Sequence, residues 1–207
     1  MGRRLGRKRL YALEKLGQSV TGTVGRGATG SLCSHTVQRD GQRVITDIVL
    51  DIGSSKGFYA PGTYRRVMGH TASANGLTNA NAIKSHLGLI DATINGIVDL
   101  VEVTVVEALT GSQDVANQKV ELQYHSTGDK HFSSSAGTHI ASLGNLNQLG
   151  TSSATEIDNG VLDGNYLYLA RGTATNGSPV NTSTGLGKLS AGKILIRLHG
   201  VMVPDSL

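Results

Sequence analysis

The chain is 207 residues long and carries a formal net charge of +4, with 16% charged residues, 4% aromatics and no tryptophan. That length suits one medium domain, or a domain with extensions, and is enough to bury a core without metals or disulfides. Low charge with 28 glycines and only three prolines argues against a helical metabolic enzyme, whose solvated faces need Glu, Lys and Arg, and suits short strands joined by polar turns.

The first element is a basic leader. Residues 1–15 hold Arg3, Arg4, Arg7, Lys8, Arg9 and Lys15 against the single acid Glu14, a local balance of +5, while the remainder holds thirteen basic and fourteen acidic residues, a net of −1. The basic character therefore belongs to an arm, residues 1–17, and not to the body. Like charges this close resist collapse, so an acidic partner is expected to order the arm. Packaged nucleic acid, an acidic patch on a neighbouring subunit and an anionic membrane all have that chemistry. Leu10, Leu13 and Leu16 follow at nearly one helical turn, with Gly17 as a stop, which predicts a short helix over Lys8–Leu16 with a leucine stripe. That stripe favours docking on protein over neutralisation of phosphates alone, whose affinity would fall with salt. The residues assigned to this partner-binding arm are Arg3, Arg4, Arg7, Lys8, Arg9, Leu10, Leu13 and Leu16.

Residues 18–43 are rich in glycine and small polar residues and predict a linker or an irregular strand. Gly25, Gly27 and Gly30 have the spacing of a dinucleotide-binding turn, but the residues from Ser31 to Val37 lack the helical periodicity that would receive a pyrophosphate. Cys33, the one cysteine, cannot form an internal disulfide, and nothing near it beyond His35 would stabilise a thiolate.

Residues 44–207 predict a β-rich body. Val44, Thr46, Ile48, Leu50 and Ile52 share one face of an extended segment, with Ile45, Asp47, Val49 and Asp51 on the other. Ala80–Ala92, with Ile83, Leu87 and Ile90 at helical spacing, predicts a short helix. Ile97–Leu109 is apolar on both faces, as in a central strand covered above and below. Lys119–His125 alternates, with Val120, Leu122 and Tyr124 inward and Glu121, Gln123 and His125 outward, and residues 111–118 between the two predict a hairpin. Residues 126–155 are small and polar, with Ile140, Leu143, Leu146 and Leu149 every third residue, and predict either an irregular exposed loop pinned by leucines or a turn of helix. Tyr166–Arg171 and Lys193–Val203 predict a final pair of strands, preceded by the turn Asp163-Gly164-Asn165 and separated by the exposed loop 172–192. The expected architecture is all-β, with an extended basic N-terminal arm and at most one or two short helices.

Local signatures of chemistry are missing. His125, His131 and His139 lie six and eight residues apart, which matches no compact metal-ligand spacing. Asp47 and Asp51 fall on one strand face about 13 Å apart, too far to cooperate in glycosidic cleavage. There is no Gly-x-Ser-x-Gly elbow and no phosphate-binding Gly-x-x-x-x-Gly-Lys loop. Asn176 and Asn181 head glycosylation-type triplets, which without a secretory signal reflect the composition of their loop. No stretch approaches the roughly 18 apolar residues of a membrane span, and the start has no apolar signal core. The expectation is a non-enzymatic protein with no cofactor, no metal and no membrane partner.

The segment from Gly164 to Gly172, Gly-Asn-Tyr-Leu-Tyr-Leu-Ala-Arg-Gly, taken with that from Ala191 to Gly200, Ala-Gly-Lys-Ile-Leu-Ile-Arg-Leu-His-Gly, resembles the final hairpin of small structural proteins of tailed bacteriophages, capsid decoration proteins among them. The likeness covers about the last 45 residues and, in style, the arm. It implies an antiparallel sandwich or jelly-roll-like body and a virion protein made in the host cytoplasm: a capsid or cement subunit, homo-oligomeric, bound to other virion proteins through arm and loops, with the arm able to touch nucleic acid. The alternative is a tail or fibre module that binds a receptor or glycan through loops 126–155 and 172–192, although the lack of tryptophan weakens sugar stacking.

Overall fold

The computed structural model describes residues 18–19, 32–52, 58–61, 65–69, 84–111, 120–131, 134–135, 137–143, 150, 152–158, 160–172 and 187–202. In chain order these form β1 (Gln18–Ser19), β2 (Leu32–Asp40), β3 (Arg43–Asp51), β4 (Phe58–Ala60), β5 (Gly88–Leu89), the helical turn α1 (Ala92–Asn95) and β6 (Ile97–Gly111). There follow β7 (Val120–His125), β8 (Thr138–Leu143), β9 (Ser152–Glu156), β10 (Tyr166–Arg171) and β11 (Gly187–Val201). The fold is all-β and every strand pairing is antiparallel.

The larger sheet runs β1-β2-β3-β11-β6-β9, with β4 pairing the start of β11, and the smaller runs β5-β10-β7-β8. Their inner faces meet in one core. Ile48, Leu50, Val101, Val103, Ile194, Ile196 and Leu198 come from the larger sheet, and Leu122, Leu143, Leu167 and Leu169 from the smaller. Alternation drives this in β3, where Val44, Thr46, Ile48 and Leu50 are buried and the residues between them are half-exposed. Residues 32–43, part of the segment whose composition suggests a linker, form β2 and a two-residue turn into β3. Gly41 supplies the positive φ, +61°, that such a turn requires.

Besides residues 126–155, expected as a loop or a turn of helix but holding β8 and β9 where described, four sequence expectations change. The predicted β6–β7 hairpin does not exist: β6 lies between β11 and β9, whereas β7 belongs to the other sheet. Nor do β10 and β11 pair, so the two segments that carry the bacteriophage resemblance are strands of different sheets. In both cases a polar connection marks a crossing from one layer to the other, and a turn signal cannot distinguish that from a hairpin. The expected helix over Ala80–Ala92 is extended where described: Ser85 N–H donates to Lys130 O and Leu87 N–H to Leu167 O, and helix begins only at Ala92. Its start is set by Asp91, whose carboxylate accepts from the backbone N–H and the hydroxyl of Thr93.

The fourth change concerns β6, which is central but covered on one face only. Val101, Val103, Val105 and Leu109 are buried, while Leu100, Glu102 and Thr104 on the other face are half-exposed and Val106 is 46% exposed. A register irregularity opposite His199 and Gly200 places Val98, and not Ile97, in the core, which is why a strict period of two mis-assigns the strand's first turn. At the same end α1 rests directly on β11, because a Cβ at Gly200 would overlap the carbonyl oxygen of Asn95. The Asn95 amide donates to Thr46 Oγ1, a buried hydrogen bond of 2.9 Å that satisfies the one polar side chain on the inner face of β3.

The one-sided burial predicts unequal costs. Ile196→Ala should lower the unfolding free energy by about 2–5 kcal/mol, and Val106→Ala should change it by no more than about 0.5 kcal/mol. Denaturant titration of both variants measures the difference, and equal losses would contradict an open outer face.

Candidate functional site

The eight residues assigned to the arm, from Arg3 to Leu16, lie outside the described residues, as do Gly25, Gly27 and Gly30, the loop residues Leu146 and Leu149, and residues 173–186 of the long loop. The described part of the chain offers three polar groupings.

The most extensive is the outer face of the larger sheet, where strand register builds rows across the strands. One row runs Thr36, Asp47, Arg197, Glu102 and Ala154, and another runs Asp51, Lys193 and Glu107. Between and beside them lie Val49 with Leu195, and Ile45, His199, Leu100 and Glu156. Asp47 and Asp51, which the alternation places on one face, are each taken up by a cation of β11. The Arg197 guanidinium grips Asp47 with two bonds, Nε to Oδ1 at 2.7 Å and Nη2 to Oδ2 at 3.0 Å. Lys193 Nζ donates to Glu107 at 2.6 Å and sits 3.5 Å from Asp51, and His199 Nε2 meets Glu102 at 2.8 Å. The Glu107 bond, then Asp51, pushes the Lys193 pKa up, and the Asp47 bond pushes Arg197 up. Pairs as exposed as these contribute little to stability, so their main consequence is the charge pattern they leave on the surface.

The second grouping is buried in the smaller sheet. Glu121 and Gln123, expected outward, are 6% and 1% exposed. The outer face of this sheet has its own cover: the chain after β7 folds back so that Tyr168 OH donates to Thr127 O at 2.7 Å and His86 Nδ1 donates to Gly128 O at 3.0 Å. Gln123 Nε2 donates to Glu121 Oε2, and His139 Nδ1 lies 3.6 Å from the same oxygen. The His86 ring stands edge-on to Tyr166 and Tyr168, and burial raises the Tyr168 pKa. His125 Nδ1 accepts from Thr127 N–H, and the Thr127 hydroxyl donates to Asp129 at 2.6 Å, which lowers the Asp129 pKa. Arg171, 5% exposed, donates to Pro61 O, and burial lowers its pKa.

The third grouping joins the two sheets. His35 Nε2 donates to Leu87 O at 2.7 Å, which fixes the proton on Nε2, and Cys33 Sγ lies 3.7 Å from the same carbonyl. A Cβ at Gly88 would collide with the imidazole, so glycine there is what lets the ring reach across. Burial pushes the Cys33 thiol up to about 12 and suppresses the thiolate, so this sulfur has no nucleophilic form at neutral pH.

Among the described residues no three His, Cys, Asp or Glu side chains come together to hold a metal ion, and no helix is long and apolar enough to cross a membrane. What the arrangement provides is surface: an open ionic sheet face beside a covered one. Compared with known proteins, the chain matches no family model, no curated protein and no solved structure.

His35 makes stability depend on pH. Burial holds its pKa below the ordinary 6.5, so on acidification the unfolded imidazole takes up a proton before the folded one does. Its contribution is full above pH 6.5 and declines as pH falls from there toward the folded-state value. Denaturant midpoints between pH 7.5 and 5 should fall less steeply in His35→Gln, which keeps a donor for Leu87 O but does not titrate.

Proposed function

We propose that the protein is a structural subunit of a virus particle, a capsid or capsid-associated cement component that binds neighbouring subunits through its basic arm and exposed surfaces. The observation that carries this reading is the separation of charge from fold. A leader of +5 precedes a body of net −1, and that body is a sandwich whose larger sheet keeps one face open to solvent. A sandwich exposing a sheet face and end loops can be held at several places at once. In a symmetric particle, weak contacts repeated on every copy add up to a stable shell. The contacts Arg197–Asp47, Tyr168–Thr127 and His35–Leu87 support it as well, since each holds strands or loops together. The bacteriophage assignment rests on the general resemblance of the arm and of the β10 and β11 sequences, not on a shared hairpin.

Deleting residues 1–16 tests the proposal in particles of the source virus. The truncated protein should keep the β-type circular dichroism of the full chain and fail to co-sediment with assembled particles. Normal incorporation of the truncated chain would refute the proposed role of the arm. Retention of glycan or cell-surface binding by that chain would instead favour a receptor-binding module built on loops 126–155 and 172–192.

A further inference from the structure

The two sheets differ in what covers their outer faces. The smaller sheet is closed over by the chain after β7, whereas on the larger sheet Glu107 and Glu102 keep side-chain exposures of 54% and 41%, and Ala154 and Glu156 are exposed. Six carboxylates share this open face, Asp40, Asp47, Asp51, Glu102, Glu107 and Glu156, against three full cations, Arg43, Lys193 and Arg197. With His199 neutral the face has a net charge of −3. Arg43 stands on β3 opposite Asp40, and the two cations of β11 are already engaged, Arg197 by Asp47 and Lys193 by Asp51 and Glu107 together. The negative excess therefore lies toward β6 and β9, where no described cation opposes an incoming positive charge. Between the ionic rows, Val49 and Leu195 are half-exposed and offer apolar contact.

Arginines and lysines interleaved with leucines complement such a surface. The leader has that composition, with Arg3, Arg4, Arg7, Lys8 and Arg9 followed by Leu10, Leu13 and Leu16. Its point of attachment is described: Gln18 pairs with Val37 and Ser19 with Thr36, antiparallel to β2. Read from Ser19 to Gln18, β1 points along the sheet's edge toward Asp40 and the Gly41 turn, the far end of β2. Seventeen residues can reach up to about 60 Å when extended. The span from β2 to β9, four inter-strand steps of about 4.8 Å, is only about 19 Å. We infer that the outer face of the larger sheet is the docking site for the basic leader of a second copy of this chain. This docking rests on the structural role proposed above and names the partner surface of the arm.

The test uses the full chain in solution, without particles. Sedimentation of the intact protein should show self-association that weakens in 0.5 M salt, through screening, and is lost on deletion of residues 1–16. Glu156→Lys with Glu107→Gln takes the face from −3 to 0 and should weaken association at least about tenfold with unchanged circular dichroism. For placement, a chain carrying Leu13→Cys is mixed with one carrying Ala154→Cys, both with the half-buried Cys33 replaced by serine. Oxidation should yield a disulfide-linked dimer of the two different chains. Three results would overturn the docking: association indifferent to the two glutamate substitutions, no mixed dimer, or a doubly substituted chain that closes on itself without dimerising. If the leader is needed for particle incorporation but one of these is found, the structural role stands and this docking site does not.

Discussion

The larger sheet depends on its last strand. β11 lies between β3 and β6, so the pair β2–β3 and the pair β6–β9 become one sheet only when the C-terminal strand enters between them. Its inner face, Ile194, Ile196 and Leu198, is fully buried, and at about 25 cal/mol per Å² of apolar surface such a strand is a principal source of core stability. Its partners are distant in sequence, Arg197 lying 150 residues from Asp47 and His199 97 residues from Glu102. Closing such loops must precede the gain from pairing, which makes folding dominated by non-local contacts slow.

The same strand also shapes the surface. Because successive side chains point to opposite faces, the residues between the buried ones, Lys193, Leu195, Arg197 and His199, all emerge on the outer face. There they meet the acids of β3 and β6 in cross-strand register. Lys193, Arg197 and His199 of the central strand face Asp51, Asp47, Glu107 and Glu102 of its neighbours, a pattern that favours this register over a slip. Core and candidate interaction surface are thus two faces of one pairing scheme.

Polar groups elsewhere tie the layers together. His35 crosses from β2 to the carbonyl of Leu87, and Asn95 links α1 to Thr46 of β3. Tyr168 fastens the chain after β7 over the smaller sheet. Buried polar atoms cost free energy unless hydrogen-bonded, so each of these bonds restricts how the connecting segments can sit. The result is an asymmetric sandwich, sealed on one side and open on the other, and that asymmetry supports a role in assembly.

Much of this was legible in the residues alone. The alternation of Val44 to Ile52 marked β3 and its inner face, glycine and polar turns marked an all-β body, and the clustering of Arg3 to Arg9 separated a cationic leader from a near-neutral remainder. These are local properties, set by the period of two and by composition. Strand partners were not legible, because a polar loop after β6 or β10 looks the same whether the chain turns back or crosses to the other sheet. The burial of Glu121 and Gln123 was hidden for a related reason: a polar residue reads as outward until some other segment covers it. Asp47 and Asp51 could be placed on one face by counting, but only the insertion of β11 put Arg197 and Lys193 beside them. The sequence by itself determined the strands of strong alternation, such as β3 and β7, and where charge is concentrated, since both follow from neighbours along the chain. The tertiary structure decided which strands meet and which faces stay open, since both depend on contacts between residues far apart in sequence.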